Sequence, residues 1–246
     1  MRILVISDIH SNSVALEAIR EPFDICFCLG DLVDYGPDPA GCLNWVMRNK
    51  CEAVRGNHDH GTAHFVAVNG ERGFRYLTSV TRPLQWSALD ASQRQFLTRL
   101  PATRRVDVDG VRYLLVHGTP RDPLDEYLRG DFTEWSRQIR NQDVDVLCVG
   151  HSHIQFHRET DGLRILNPGS VGLPRDGDPR AAYAIIEDGK VQLKRVEYDV
   201  ERAIALNDAL NLPDKAKQMY RTCLTTGRIR PNGEDLFEGE TVERSA

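Results

Sequence analysis

Residues 3–31 read ILVISDIHSNSVALEAIREPFDICFCLGD and decide how the fold begins. The apolar run Ile3–Ile6 predicts a buried strand, and a second apolar run over residues 25–29 predicts another. Between them, apolar residues recur at helical spacing over Val14–Arg20. A strand, a helix and a strand in this order form a βαβ unit, in which the two strands are parallel neighbours.

Further along the chain, helix and strand signals alternate again and hairpin signals follow. Helices are expected at 38–49, 132–142, 200–210 and 213–225 and irregularly within 61–100, and strands at 51–54, 145–149 and 163–166. Asp109-Gly110 and Asp188-Gly189 each separate two strand-like runs, which predicts two hairpins with two-residue turns. Asp90 and Gln93 have the spacing of a capping box. The pattern predicts an α/β fold whose mixed sheets are covered by helices.

The chain is expected to divide into three parts. Residues 1–198 would form the main domain, and residues 199–226 a helical appendage. Residues 227–246 are polar and rich in Glu without periodicity, which predicts a mobile tail.

Composition excludes several classes of protein. The 31 Lys and Arg residues against 36 Asp and Glu residues give a net charge of −5, which argues against non-specific binding to nucleic acid. Apolar runs are strand-sized, and the first is too short for a secretion signal, so no membrane span and a cytoplasmic location are expected. The 6 cysteines form no CxxC pair, which predicts neither disulfides nor a zinc ribbon.

Polar side chains follow each candidate core strand. The segments are Asp8-Ile9-His10, Gly30-Asp31, Gly56-Asn57-His58-Asp59, His117-Gly118 and Gly150-His151-Ser152-His153. The carboxyl ends of strands form the ligand crevice of open α/β sheets, so these segments can converge. In an extended segment, Asp8 and His10 would lie on one side of the backbone, as would His151 and His153. Imidazole, carboxylate and amide groups without a thiolate favour Mn, Fe, Zn, Co or Ni.

Each of these residues alone has a simpler structural explanation. An Asp can cap a helix, an Asn can occupy a turn, and a histidine can be a hydrogen-bonded part of the core. Together they are harder to explain in this way, because most of the 8 histidines of the chain fall in these segments. The joint pattern favours a metal site.

The motifs DxH, GD, GNHD, HG and GHxH, in this order, resemble the calcineurin-like metallophosphoesterase superfamily over roughly residues 1–198. Val54-Arg55 before GNHD, and Asn167–Gly172 with Pro174-Arg175 near the end, resemble the compact prokaryotic phosphodiesterase branch, which includes diadenosine tetraphosphate hydrolases. The resemblance implies two packed mixed β-sheets with helices on both outer faces.

The resemblance also implies roles for single residues. One metal ion would be held by Asp8, His10, Asp31 and His153, and the second by Asp31, Asn57, His117 and His151. His58 would face the substrate phosphate and the leaving group, with Asp59 as its orienting partner. Arg55 and Arg175 are candidates to clamp a phosphate oxygen. His60 and His64 either line the substrate entrance or begin a solvated helix.

The expected function is hydrolysis of a phosphate ester or phosphoanhydride by a hydroxide that bridges two divalent metal ions. A phosphodiesterase acting on small, nucleotide-like substrates is the first choice. A phosphomonoesterase or protein phosphatase is the alternative within the same chemistry. An inactive metal-binding scaffold for protein interactions is the alternative from another class, and it is disfavoured because no motif residue is missing. Whether the chain forms a homo-oligomer stays open.

Overall fold

Ten β-strands form two five-stranded sheets in the computed structural model, which describes residues 1–127, 143–160 and 162–229. The first sheet comprises β1 (Arg2–Ile6), β2 (Ile25–Cys28), β3 (Glu52–Ala53), β9 (Ala181–Glu187) and β10 (Lys190–Val196), in the order β10-β9-β1-β2-β3. The second comprises β4 (Thr103–Val108), β5 (Val111–Val116), β6 (Val146–Cys148), β7 (Gln155–Thr160) and β8 (Leu163–Pro168), in the order β4-β5-β6-β8-β7.

Both sheets are mixed, with parallel strands at the centre and antiparallel hairpins at the edges. Strands β1, β2 and β3 run parallel, and so do β5, β6 and β8, which confirms the predicted βαβ opening. The hairpins β4–β5 and β9–β10 turn at the two predicted Asp-Gly pairs. Asp109 and Gly110 have φ of +52° and +77°, and this pair of positive values is typical of a type I′ turn. The β7–β8 hairpin was not predicted, although Asp161-Gly162 carries the same sequence signal.

Seven helices are present among the described residues, and one of them begins at the predicted capping box. Their bounds are α1 (Ser13–Ala18), α2 (Pro39–Arg48), α3 (Asn57–Ala63), α4 (Gly73–Ala88), α5 (Ala91–Arg99), α6 (Val200–Asp208) and α7 (Asp214–Thr226). Asp90 accepts a hydrogen bond from the backbone N–H of Gln93 at 2.8 Å, and Gln93 Oε1 accepts one from Asp90 N at 3.0 Å, which confirms the capping box. The predicted helix at 132–142 and most of the predicted tail, 230–246, lie outside the described residues.

Side-chain alternation in β1 explains the layers. Ile3 and Val5 pack between the two sheets with Tyr113 and other residues of the second sheet. Leu4 and Ile6 point to the other face, where α1, α2 and α5 cover the first sheet. The two packed mixed sheets with flanking helices confirm the expected fold class. Among the described residues, no helix has the length and apolar character needed to cross a membrane.

The C-terminal helices α6 and α7 share a core with α4 and with the loop that follows β8. Tyr220 and Leu224 of α7 pack in one cluster with Leu77 of α4 and with Leu173. In addition, Gly177 N donates a hydrogen bond to Gly227 O at 3.2 Å, so the end of α7 contacts the loop that follows β8. Helices α6 and α7 therefore support a loop that leads into the functional site.

Candidate metal centre

The polar segments after β1, β2 and β6 leave their strands through residues in the left-handed backbone region. Six non-glycine residues of the site have positive φ: Asp8 (+53°), His10 (+47°), Asp31 (+54°), Asp34 (+67°), His151 (+63°) and His153 (+57°). Non-glycine residues rarely adopt this conformation, and such strain is typical of functional sites. Asp8 and His10 do lie close together, as expected. However, residues in the left-handed backbone region bring them together, so the expected cause, alternation along an extended segment, is wrong.

Asp8, His10 and His153 form the first of two buried clusters of metal-binding groups. The Nε2 atoms of His10 and His153 lie 3.1 Å apart, and His153 Nε2 lies 3.2 Å from Asp8 Oδ1. Asp31 Oδ2 approaches the same cluster, at 3.7 Å from His10 Nε2. These are the residues assigned to the first metal ion from the sequence.

Asp31, His117 and His151 form the second cluster. His117 Nε2 lies 3.1 Å from His151 Nδ1 and 3.1 Å from Asp31 Oδ2. Asp31 thus belongs to the second cluster and also approaches the first. Asn57, the fourth member assigned from the sequence, begins α3 directly after Gly56, and its buried Oδ1 has no hydrogen-bond partner.

Backbone carbonyl groups fix which ring nitrogen of each histidine faces inward. His10, His117 and His153 donate from Nδ1 to the carbonyl oxygens of Val33, Leu29 and Leu173, at 3.0, 2.8 and 2.6 Å. His151 is reversed, and its Nε2 donates to the Asp125 carbonyl at 3.2 Å. A carbonyl oxygen can only accept, so in each neutral ring the inward nitrogen carries a lone pair. Outer hydrogen bonds of this kind commonly orient metal-ligating histidines.

The inward-facing lone pairs can bind a cation but cannot form hydrogen bonds with one another. Two unprotonated nitrogens 3.1 Å apart cannot form a hydrogen bond; His10 and His153 make such a pair, and His117 and His151 make one whenever His117 is neutral. The buried Asp8 Oδ1 also has no hydrogen-bond partner, like Asn57 Oδ1. A divalent cation in each cluster would satisfy these nitrogen and oxygen atoms, and the donor set suits transition metals.

Burial sets the charge of the histidines that carry these lone pairs. It lowers the pKa of His10, His151 and His153 well below the ordinary value, so they are neutral at pH 7, the form that binds metals. Burial also lowers the pKa of His117, but the neighbouring Asp31 carboxylate outweighs it and raises this pKa to about 9. Without a cation, His117 and Asp31 therefore form a buried ion pair.

His58 is oriented by Asp34, a residue that the sequence reasoning did not single out. His58 Nδ1 donates to Asp34 Oδ2 at 2.7 Å, and its Nε2 lies 3.1 Å from Tyr35 Oη and 4.0 Å from Asp31 Oδ2. Arg82 donates to the same Asp34 oxygen from Nε at 2.8 Å and from Nη2 at 2.6 Å. The position of His58 thus depends on a buried Asp34–Arg82 ion pair.

Asp59 does not contact the His58 ring, so the prediction that it orients His58 is wrong. Its Oδ2 accepts hydrogen bonds from Asp31 N at 2.8 Å and Gly56 N at 2.9 Å, and its Oδ1 accepts one from Leu32 N at 2.8 Å. Asp59 therefore joins the loop that carries Asp31 to the loop that carries Asn57. At Gly56, an added Cβ would overlap Asp31 Oδ1, so the close approach of these two loops requires glycine here.

Helix α4 supports the Asp34 loop with a buried polar face that the sequence reasoning also missed. Gln85 Oε1 accepts from Asp34 N at 3.2 Å and from Ser11 Oγ at 2.8 Å, and Thr81 Oγ1 accepts from Tyr35 N at 3.2 Å. Thr78, Thr81, Arg82 and Gln85 are spaced as one helical stripe. In the sequence, such a stripe is indistinguishable from a solvent-exposed face.

The two predicted phosphate-binding arginines occupy different places. Arg175 follows the loop that carries Leu173, its guanidinium lies 3.7 Å from the centroid of the Phe74 ring, and its charge contributes to lowering the pKa of Asp8 against the larger effect of burial. Arg55 precedes α3, and its Nη1 lies 3.5 Å from His64 Nε2. The buried Nε atoms of both arginines have no hydrogen-bond partner.

Residues 1–189 match the model of the calcineurin-like phosphoesterase superfamily domain. The chain belongs to this superfamily. The calcineurin-like phosphoesterases are the family that the motifs indicated, so the sequence-based assignment is confirmed, and the chain is a metallophosphoesterase, an enzyme that hydrolyses phosphoric esters.

Relatives span most of the chain. The uncharacterized protein MJ0912 of Methanocaldococcus jannaschii is 34% identical over 227 residues, which are 82% of this chain and 89% of that protein. The phosphodiesterase YfcE of Escherichia coli is 27% identical and covers 85% of this chain and 94% of its own length. The crystal structure of a metallophosphoesterase from Sphaerobacter thermophilus has 32% identity and a TM-score of 0.77, and covers 92% of this chain and 100% of that one.

Proposed function

We propose that this calcineurin-like phosphoesterase hydrolyses phosphodiesters of small, nucleotide-like molecules at a centre of two divalent metal ions. The observation that carries the proposal is the pair of buried clusters, which direct histidine nitrogens and carboxylate oxygens inward and which both approach Asp31 Oδ2. The first ion would be held by Asp8, His10, Asp31 and His153, and the second by Asp31, Asn57, His117 and His151. Mn, Fe, Zn, Co and Ni all suit this donor set.

Two such ions supply two things: they lower the pKa of bound water toward about 7, and they hold the attacking and leaving oxygens of an in-line displacement. The buried histidines keep their lone pairs available for this purpose, because their outer nitrogens are fixed by backbone carbonyls. The protein thus prepares the site before any cation binds.

His58 is the candidate for proton transfer. Its Nδ1–H is held by Asp34 at 2.7 Å, so Nε2 is the nitrogen that remains for the substrate. Nε2 lies 4.0 Å from Asp31 Oδ2, which places it beside the shared ligand of both clusters. From this position, a protonated His58 donates to a phosphate oxygen or to the departing oxygen, a role that typically contributes about 10²- to 10⁴-fold in rate.

Arg175 is the candidate for binding the phosphate near the first cluster. Its guanidinium is held against Phe74 and its buried Nε lacks a hydrogen-bond partner, so it has a donor to give to a phosphate oxygen. The relative YfcE is named a phosphodiesterase, which supports diesters over monoesters as the preferred substrates.

A hydrolysis screen of the Mn-loaded enzyme tests the proposal. The substrates are bis(p-nitrophenyl) phosphate, p-nitrophenyl phosphate and dinucleoside polyphosphates. We expect kcat/KM for the diester to exceed that for the monoester by about tenfold or more, and activity to be lost in Asp8→Ala. His157→Gln, on β7 away from both clusters, is the matched histidine control and should keep activity. A monoester preference of about tenfold would contradict the diesterase assignment, and inactivity toward all three substrates would contradict hydrolysis altogether.

A further inference from the structure

Three nitrogen-bearing side chains outside the metal clusters lie together along α3. His60 and His64 have ring centroids 4.6 Å apart, and Arg55 Nη1 lies 3.5 Å from His64 Nε2. His60 is half-buried and His64 is exposed, so the group begins beside the site and ends at the surface. These three residues are called the α3 cluster below.

The α3 cluster has donors without acceptors. Arg55 Nε and His60 Nδ1 are buried, and neither has a hydrogen-bond partner. Among residues 1–127, 143–160 and 162–229, no carboxylate forms a salt bridge with Arg55. Buried polar atoms in proteins are nearly always paired, so two unpaired nitrogens in one group point to an acceptor that binds there.

The helical spacing connects this cluster to the metal centre. Asn57 and His60 lie three residues apart on α3, and His64 follows four residues later at the C-cap of the helix, so the three lie near one row. The helix rises about 4.5 Å from Asn57 to His60 and about 6 Å from His60 to His64. A ligand that extends from the second metal cluster along this row would meet one imidazole at each turn.

The charge of the α3 cluster selects an anion. Arg55 carries a permanent positive charge, and guanidinium and imidazole groups together are typical ligands of phosphate oxygens. Asp125 is the acidic group that acts on His60. On the other side of α3, Arg82 is neutralised by Asp34 and is not available to a ligand.

We propose that Arg55, His60 and His64 form a second phosphate subsite, which binds the phosphate next to the scissile one in substrates with linked phosphate groups. The inference rests on the proposed function, because the scissile phosphate is taken to lie at the metal clusters. It adds that the enzyme distinguishes linked phosphates from a single phosphodiester, and that it does so through this row on α3.

Binding of two non-hydrolysable probes tests the subsite. Methylphosphonate carries one phosphonate group and methylenediphosphonate carries two, and both are measured by calorimetry on the Mn-loaded protein and as inhibitors of bis(p-nitrophenyl) phosphate hydrolysis. The wild type should bind the diphosphonate about tenfold or more tightly than the monophosphonate. In His64→Leu this ratio should fall about tenfold, because a hydrogen bond to a charged group is lost. In Arg55→Leu/His64→Leu it should fall further.

The comparison between variants isolates the subsite, since chelation of bound Mn by the diphosphonate is the same in all of them. His157→Leu is the matched control and should keep the wild-type ratio, and circular dichroism verifies folding of each variant. A ratio near one in the wild type, or an unchanged ratio in the double variant, would overturn the subsite. Hydrolysis of bis(p-nitrophenyl) phosphate reports separately on the proposed function, so the two proposals can fail independently.

Discussion

Asp34→Asn removes one charge from the buried group that positions His58 and leaves its shape almost unchanged. Asp34 is 0% exposed, and its partner Arg82 is 4% exposed. In the variant, the Arg82 guanidinium would lose the one carboxylate with which it forms a salt bridge among the described residues. The carboxylate that accepts from His58 Nδ1 would also become an amide, which is a weaker, uncharged acceptor for that proton.

The stability cost follows from the buried ion pair. Breaking such a pair on one side typically costs about 3–5 kcal/mol, because a charge is left buried without compensation. For a chain of this size, 1 kcal/mol shifts Tm by about 2–4 °C, so we expect Asp34→Asn to lower Tm by about 6–20 °C. Adding Arg82→Met removes the uncompensated charge and should recover a large part of the loss, which thermal unfolding of both variants would reveal.

The loss of activity in Asp34→Asn is expected to act through His58. A hydrogen bond to a charged group contributes about 1.5–3 kcal/mol, so kcat for bis(p-nitrophenyl) phosphate should fall about 10- to 100-fold in Asp34→Asn. If Asp34 works only by orienting His58, the double variant with His58→Ala should have the same kcat as His58→Ala alone. Asp59→Asn, which affects the loops rather than the ring, should lower activity further on that background.

The kinetic measurements are made below the Tm of every variant, so that unfolding does not contribute. A twofold or smaller effect of Asp34→Asn on kcat would refute the orienting role. So would an equal loss from Asp34→Asn in the presence and absence of the His58 imidazole.

Three further outcomes are expected. In metal-free protein, burial lowers the pKa of His10, His151 and His153 furthest, so these histidines bind protons below pH about 6.5 in the unfolded chain before they do so in the folded chain, whereas Asp8 (pKa about 6) and Asp59 (pKa about 7) bind protons in the folded chain. Because the three histidines outnumber the two carboxyl groups, urea unfolding should show stability falling as the pH falls from about 5.5 to about 4.5; a rise would contradict these assignments. Gly56→Ala should lower both Tm and Mn affinity, because its Cβ would overlap Asp31 Oδ1, and normal Mn binding in calorimetry would show that the loops can separate without cost. Arg175→Met should raise KM for diesters about tenfold with a smaller change in kcat, and an unchanged KM would remove Arg175 from the phosphate site.

Local signals predicted most of the fold. The apolar runs of β1 and β2 with the helical spacing between them determine a βαβ unit, and the Asp-Gly pairs determine two edge hairpins. These features follow from interactions within a few residues, which sequence patterns record directly. The arrangement of two packed sheets followed from the family resemblance and not from the patterns.

Only some of the residues that meet at the candidate metal centre could be predicted from the sequence. The candidate metal ligands were recognisable jointly and not singly, because histidines and carboxylates recur at several strand ends, as for Asp8 and His153 with their neighbours. Asp34 was missed because an Asp near a turn has an ordinary explanation. Its position three residues after Asp31 could have marked it as a residue of the same site. Arg82 had no local signal, since a polar stripe on a helix is expected to face water, whereas α4 turns this stripe toward the Asp34 loop.

Anomalous diffraction from crystals of the Mn-loaded protein tests the two-metal centre most directly. The account predicts two peaks about 3.5–4 Å apart, one against Asp8, His10 and His153, the other against Asn57, His117 and His151, and both against Asp31. A single peak, or two peaks that do not share Asp31, would contradict it.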